Sequence, residues 1–384
     1  MGGVYYETLQ KFNINAGNQP VTKGNSVEVF TDGRKKFIDL LETMDKAVRY
    51  IFIQYYIIRD GGIFSNIEEV AIRKAAQGVS VKIMTDGIGG RGLSNRTIER
   101  LRMNNVEVAV YSPSLIGCVN FQINHRNHRK TAIIDDVAYI GGFNLGDEYI
   151  GEDKRYGYWR DTHLKIKGMA VESILKSFAD DWKTATGKDI HTIRGGENKC
   201  EGEIDIQIVR SGYKDKVKLI HDSCLRMIYS AKKSIYIQTP YFVPDMEMLN
   251  ALKSAACSGI DVKIMVPGRA DHPAVYWATG YYAGHMIRAG AGVYRYMDGF
   301  LHAKGIMIDG EVCTFGTANM DIRSFRLNYE INVIIYNEGF TRKMESIFGE
   351  DLKKCDIVSR YKYENMGTFS KLKCIICKGG ARYM

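Results

Sequence analysis

The chain repeats itself, and that duplication constrains its fold more than any single motif does. IFIQYYIIRD at residues 51–60 matches IYIQTPYFVPD at 235–245, and AAQGVSVKIMTDG at 75–87 matches AACSGIDVKIMVPG at 255–268. Each copy keeps one order: an apolar β-rich run, a helical stretch, a glycine turn, then VKIM. Short β-branched runs alternating with helical periods predict a βα-layered unit around a mixed, mostly buried sheet. At 384 residues the chain has room for two such units, each large enough to bury its own core. The expected fold is α/β, with two repeated domains, residues 1–198 and 199–384, sharing one site at their interface. The break falls in the polar stretch RGGENKCEGE at 194–203.

Downstream of each VKIM stands His-x-Lys-x4-Asp: His128, Lys130 and Asp135, then His302, Lys304 and Asp309. Each is followed by a glycine-led turn ending in asparagine, Gly141-Gly142-Phe143-Asn144 and Gly316-Thr317-Ala318-Asn319. One copy is a weak signal, because chance produces it; two at equivalent places in a repeat are a strong one. On a strand, period-2 alternation puts His and Lys on one face and turns Arg129 and Ala303 away. There an imidazole nitrogen can attack phosphorus while an ammonium offsets charge on the equatorial oxygens. The second copy supplies the second imidazole, which a diester exchange needs as the acid that protonates the departing alkoxide. Asn144 and Asn319, on turns where glycine lets backbone come close, suit the nonbridging oxygens. Asp135 and Asp309 complete the candidate catalytic set, although their place after apolar strands suits fixing a loop better than reacting.

Phosphate chemistry narrows the partners, and charge narrows them further. Lys and Arg outnumber Asp and Glu by 53 to 44, a formal +9 that favours anionic lipid or nucleic acid without choosing between them. The apolar run YIFIQYYII at 50–58 is about half of what a bilayer-spanning helix needs, so it reads as a buried strand. The start shows no charged-then-apolar leader, which predicts neither a secretory signal nor an anchor, and a soluble or peripheral protein. The cysteines at 118, 200, 224, 257, 313, 355, 374 and 377 have no framework spacing, and reduced thiols are expected. Cys374 and Cys377 form a CxxC without two further ligands nearby, so no metal or other cofactor is expected there.

NHRNHRK at 124–130, GGFNLGDEY at 141–149, WRDTH at 159–163, TPYFVPD at 239–245, LHAKGIMID from 301 and GTANMDIRSFRLNYEINV at 316–333 carry a family likeness. They resemble the signature blocks of the phospholipase D superfamily and, within it, the bacterial cardiolipin synthases. The likeness runs over roughly residues 25–355, and GTANMDIRSFRLNYE and WRDTH favour synthases over nucleases and phospholipases. The resemblance implies transfer of a phosphatidyl group from one phosphatidylglycerol to a hydroxyl of another. A covalent phosphohistidine, formed on His128, carries it, glycerol is released and no metal is needed. It further implies that Glu330 hydrogen-bonds His128 and Asp161 hydrogen-bonds His302, each across the halves, to set the imidazole tautomers. Three features depart from the family. The first hairpin is one residue tighter than the second, the usual pair of leading hydrophobic segments is absent, and the tail beyond Tyr361 is unlike the usual apolar ending.

A hydrolase giving phosphatidic acid would share the whole machine, and a nuclease would turn the same histidines on a nucleic-acid diester. A non-catalytic membrane module would have lost a motif residue, and none is lost. The expected partners are phosphatidylglycerol and an anionic membrane surface, met peripherally on the cytoplasmic side; nucleic acid is less favoured and no obligate protein partner is evident. HPAVYWATGYYAGHMIRAG at 272–290 spaces Tyr276, Trp277, Tyr281, Tyr282 and Met286 at helical intervals, as core first and as an interfacial contact second. The basic tail with Lys371, Lys373, Lys378 and Arg382 around Cys374–Cys377 is a second candidate contact. GIGGRG at 87–92 lacks the Walker Lys-Ser/Thr and reads as a plain turn.

Overall fold

The computed structural model describes residues 3–111, 125–190 and 201–380. The break expected between 198 and 199 lies outside the described residues, as do Cys118, Cys200 and Arg382. Strand Tyr50–Tyr55 is buried along its whole length, which is why it reads as an unbroken apolar run and not as an alternation. It pairs in parallel with Ser80–Asp86, which pairs in parallel with Glu107–Tyr111. Helices Gly62–Ala76 and Asn95–Met103 make the crossovers that parallel pairing requires. On its other side lies the antiparallel hairpin Thr131–Ile134 and Val137–Gly141, then Trp159–Lys167. The second half repeats each step. Ser234–Gln238, Asp261–Pro267 and Gly292–Tyr296 run parallel, and Gly305–Ile308, Val312–Gly316 and Glu330–Tyr336 follow antiparallel.

The halves do not keep separate sheets. Val21–Asp32 pairs with Trp159–Lys167 on one side and Ile204–Ser211 on the other, and Ile204–Ser211 pairs with Glu330–Tyr336. One 16-stranded sheet results, with a 12-residue strand at its seam, and among the described residues no unpaired edge faces the junction. Helices Ala170–Thr186 and Glu338–Leu352 bring apolar faces to the same junction. There Phe52, Ile133, Leu164 and Phe178 share a core with Met265, Met307, Val333 and Phe348. Each such fully buried side chain contributes about 1.5–3 kcal/mol, so the shared core ties the halves together. Helix starts follow local rules: Asp32, Ser94, Asp245 and Asn337 accept the N–H groups of Lys35, Thr97, Met248 and Phe340. Among the described residues no helix is long and apolar enough to cross a membrane.

The motif aspartates sit at hairpin turns in the left-handed region, Asp135 at φ 47° and Asp309 at φ 57°. Ile134 pairs with Val137 around a tighter turn than the one between Ile308 and Val312, as the spacing required. The Asp135 carboxylate accepts N–H bonds from Val48, Arg49 and Tyr50 at 2.8, 2.9 and 3.0 Å. Asp309 accepts from Lys232, Lys233 and Ser234 at 2.8, 2.7 and 2.8 Å. Both carboxylates are engaged by main chain at the far ends of the strands that follow the motif lysines, which suits fixing a loop. Asp135→Ala orphans three amides and is expected to cost about 1–3 kcal/mol of stability. A lowered melting temperature with kcat within about twofold of the parent's checks this; a large fall in kcat at unchanged stability would return Asp135 to the chemistry.

Candidate active site

Each motif histidine is hung on the other half of the molecule. The His128 N–H donates to the Tyr329 carbonyl at 2.9 Å, and the Tyr329 N–H donates to the Arg126 carbonyl at 2.8 Å. In the mirror arrangement Phe300–Leu301 pairs in parallel with Trp159–Arg160, and the His302 N–H donates to the Arg160 carbonyl at 2.7 Å. The His-x-Lys segments are extended but precede the strands, which begin at Thr131 and Gly305. They are freed from their own sheet and borrow main-chain partners across the seam. The intervening residues turn away: Arg129 is buried against Asp181 at 2.6 Å, and Ala303 is buried in the shared core.

Those cross-strands deliver the carboxylates. Glu330 Oε1 and Oε2 lie 2.9 and 3.0 Å from His128 Nδ1, and Asp161 Oδ2 lies 2.6 Å from His302 Nδ1. Both acids are held in turn. Glu330 accepts from the Thr317 hydroxyl at 2.5 Å and the Asn328 amide at 3.1 Å, and Asp161 accepts from the Thr162 N–H at 2.7 Å. Gly142 leaves the room Asp161 occupies, since a Cβ there would overlap its carboxylate. The two acids have no exposed side-chain surface, whereas His128 and His302 keep 13% and 10%. With Nδ1 tied behind, Nε2 of each ring is the nitrogen left for a substrate.

Lys130 donates to the His128 carbonyl at 2.6 Å, and Lys304 lies 2.7 Å from His302 Nδ1 and 3.9 Å from Asp161. Burial drives the electrostatics of all six groups. It lowers Lys130 to about 7, with Glu330 opposing and Lys304 adding to the fall, and it lowers Lys304 to about 8 against Asp161. His302 falls to about 4 through burial and then Lys304; His128 also falls through burial, with Glu330 opposing. Burial acts to raise both acids, yet Lys304 and His302 hold Asp161 below its ordinary value, and His128 and Lys130 do the same for Glu330. At neutral pH the site therefore carries neutral imidazoles, ionised carboxylates, a mostly charged Lys304 and a partly charged Lys130 that an incoming anion would charge fully.

That linkage has a sign. A phosphodiester is anionic throughout, and its partner ammoniums exist below about 7 and 8. Affinity for glycerophosphoglycerol should therefore fall as pH rises, most steeply from about 7–8 upward, approaching about tenfold per pH unit for each proton taken up. Titration calorimetry from pH 6 to 9 checks this, and a flat profile would refute it. Folding stability runs the other way. Unfolded lysines stay protonated to about 10.4, so from about 7 upward the unfolded chain binds more protons and folding gains as pH rises.

The asparagines also have partners within the protein. Asn144 accepts from the Ile57 N–H and donates to the Tyr149 hydroxyl, both at 3.1 Å, and Asn319 donates to Asp321 at 3.2 Å. Each amide thus braces the surrounding loops and keeps a second N–H. Sequence reasoning missed Thr317 and Asn328, the Tyr56 ring 5.0 Å from His128, and Trp159 with its ring 5.3 Å from His302. It also missed a pair of buried networks. Gln54 donates to Asp181 at 2.7 Å beside Arg129, and Gln238 donates to Asp351 at 2.8 Å beside Arg160. A glutamine at the same place in both apolar runs, IFIQ and IYIQ, was the available signal.

Among the described residues one group has metal-ligand spacing, His221 with Asp245 and Glu247. Its donors are already engaged: His221 Nδ1 is 2.9 Å from Asp222, its Nε2 is 3.0 Å from Asp245, and Arg326 is 2.8 Å from Asp245. Although burial opposes it, bonds to Asp222 and Asp245 hold the imidazolium up at about 9, so the cluster is an ion pair that starts a helix.

A family model described as "Cardiolipin synthase, PLD-like domain" matches residues 40–182 and 224–352. The cardiolipin synthase of Oceanobacillus iheyensis is 45% identical over 345 residues, covering 89% of this chain and 72% of that protein. The major cardiolipin synthase ClsA of Bacillus subtilis is 45% identical over 350 residues, covering 89% and 71%. In fold the chain is similar to the crystal structure of the phosphatidylserine synthase of Haemophilus influenzae, with TM-score 0.74 at 12% identity over 98% of this chain and 100% of that one.

Proposed function

The chain belongs to the cardiolipin synthase family with phospholipase D-like domains, and from that membership we propose that it joins two phosphatidylglycerols into cardiolipin and glycerol. The observation that carries the reading is the crosswise pairing: two imidazoles on opposite halves, each with Nδ1 held by the other half's carboxylate, with two buried lysines beside them. His128 Nε2 attacks the phosphorus of the first phosphatidylglycerol, and the glycerol alkoxide leaves with a proton from His302 Nε2. The anionic diester raises the His302 pKa as it enters, so the acid is charged on arrival. The hydroxyl of a second phosphatidylglycerol then gives its proton to His302 and attacks the phosphohistidine, freeing His128. Lys130 and Lys304 balance charge on the equatorial oxygens in both steps. Water in place of the second lipid would give phosphatidic acid.

Phosphatidylglycerol and an anionic bilayer are the partners this reading requires, with the protein working peripherally at the cytoplasmic face. Incubation with phosphatidylglycerol vesicles and separation of the products tests it. Cardiolipin with equimolar glycerol is expected. Phosphatidic acid without cardiolipin would make the protein a hydrolase, and cleavage of a nucleic-acid diester without lipid turnover would make it a nuclease.

A further inference from the structure

Helix Thr368–Gly380, TFSKLKCIICKGG, packs against helix Pro273–Arg288 and leaves one face bare. Phe369, Leu372, Ile375 and Ile376 are 71%, 51%, 58% and 65% exposed. At 100° per residue they occupy an arc of about 120°. Other exposed large apolar side chains of the described residues, such as Ile38, Met103, Met169 and Tyr229, stand on separate elements and need no explanation. The opposite face is docked closely. Cys374 is buried with its sulfur 3.3 Å from where a Cβ on Gly280 would stand, Cys377 packs on the core, and Tyr363 fills the space that Gly284 leaves. The CxxC is thus the inner stripe of an amphipathic helix, and its close fit holds the apolar arc outward.

Charge flanks that arc on both sides. Lys371 and Lys378 lie on one border and Lys373 on the other, and the 13-residue helix has no acidic residue. Lys378 reaches the Tyr281 hydroxyl at 3.0 Å, while Lys373 stands over the rings of Trp277 and Phe369 at 5.2 and 4.7 Å. Both ammoniums stand on aromatic rings at the border of the arc, cation–π contacts that keep the charge beside the apolar face. Lys373 meets Trp277 and Lys378 meets Tyr281, so the two helices run in the same sense. The Phe369 end therefore lies toward the start of Pro273–Arg288, just after Asp271, whose charge reaches Lys304.

We infer that the outward face of Thr368–Gly380 is the surface by which this chain lies on an anionic bilayer, seating the mouth of the site against its lipid. The inference rests on the lipid reading above and adds the place and polarity of contact. A second copy would set three lysines against three, whereas an anionic lipid surface takes up both the apolar arc and its rim.

Sedimentation of the whole protein with phosphatidylglycerol–phosphatidylcholine vesicles and with phosphatidylcholine vesicles, at low and physiological salt, tests this. The parent should bind the mixed vesicles more tightly and lose affinity as salt rises. Phe369→Ser/Leu372→Ser/Ile375→Ser/Ile376→Ser should weaken binding to mixed vesicles by about tenfold or more at both salts. Lys371→Gln/Lys373→Gln/Lys378→Gln should flatten the dependence on salt and on phosphatidylglycerol. Both variants should turn over short-chain phosphatidylglycerol below its micellar concentration at the parent's rate, which separates docking from folding and chemistry. Parental vesicle binding by the serine variant, equal loss of short-chain turnover, or a lipid-free dimer that the serine variant dissociates would each overturn the inference. Vesicle binding that follows this pattern while the parent makes no cardiolipin would instead sink the functional reading and leave the docking surface standing.

Discussion

His128→Asn and His302→Asn are each expected to abolish measurable cardiolipin formation while the protein stays folded. Alanine would leave Glu330 or Asp161 buried without its partner, and breaking a buried pair costs about 3–5 kcal/mol. Asparagine keeps a polar group where Nδ1 sits and removes only Nε2, so it isolates the reacting nitrogen. Loss of the nucleophile at His128 should reduce turnover by about ten-thousandfold or more, and loss of the acid at His302 by about a hundred- to ten-thousandfold. The two variants should differ in kind. With radiolabelled phosphatidylglycerol, His302→Asn should still acquire label on a His128 peptide and His128→Asn should acquire none. Substantial turnover in either variant would sink the single shared site, and label on a His302 peptide would exchange the two roles.

Glu330→Gln and Asp161→Asn should each slow turnover by about a hundred- to ten-thousandfold, because each carboxylate sets the tautomer of the ring it touches. At Glu330 the conflict is explicit. Thr317 and Asn328 both donate to its oxygens, so a glutamine amide can keep accepting from His128 and Asn328 only if the Thr317 hydroxyl turns from Oε2 toward the Ile331 carbonyl, and the ionic partner of the imidazole is lost in either case. A second readout separates this positioning role from simple misfolding. Glu330 is the main group opposing the fall of Lys130, and Asp161 is the main one opposing the fall of Lys304. Neutralising either should move the pH at which glycerophosphoglycerol binding weakens to lower values. Unchanged binding profiles together with near-parental kcat would mean that the carboxylates are ordinary ion-pair partners.

The duplicated unit, its buried strands and both His-x-Lys-x4-Asp motifs could be read directly from residues 51–60, 128–135, 235–245 and 302–309, because spacing along the chain survives in any fold. The apolar run at 50–58 was legible as a strand for the same reason: burial on both faces leaves a composition that local order alone displays. The crosswise pairing of acids and imidazoles was not in the residues, and only the family resemblance suggested it. Glu330 stands 202 positions from His128 and Asp161 stands 141 from His302, and at such separations no periodicity connects them.

Tertiary structure decided how the halves meet. The strand Val21–Asp32 closes the junction because two open sheet edges would otherwise face each other with unpaired N–H and C=O groups. It also decided where the motif residues lie relative to one another. Asp135 and Asp309 share a motif with the histidines, yet the reversal of the strand carries their carboxylates to the opposite end, onto main-chain N–H groups. The sequence by itself determined which side chains were available and how far apart they lie along the chain. Burial decided what they are: Lys130 near 7 and His302 near 4 are properties of a dry pocket between two half-sheets, where the missing solvation of a charge outweighs the partners that remain.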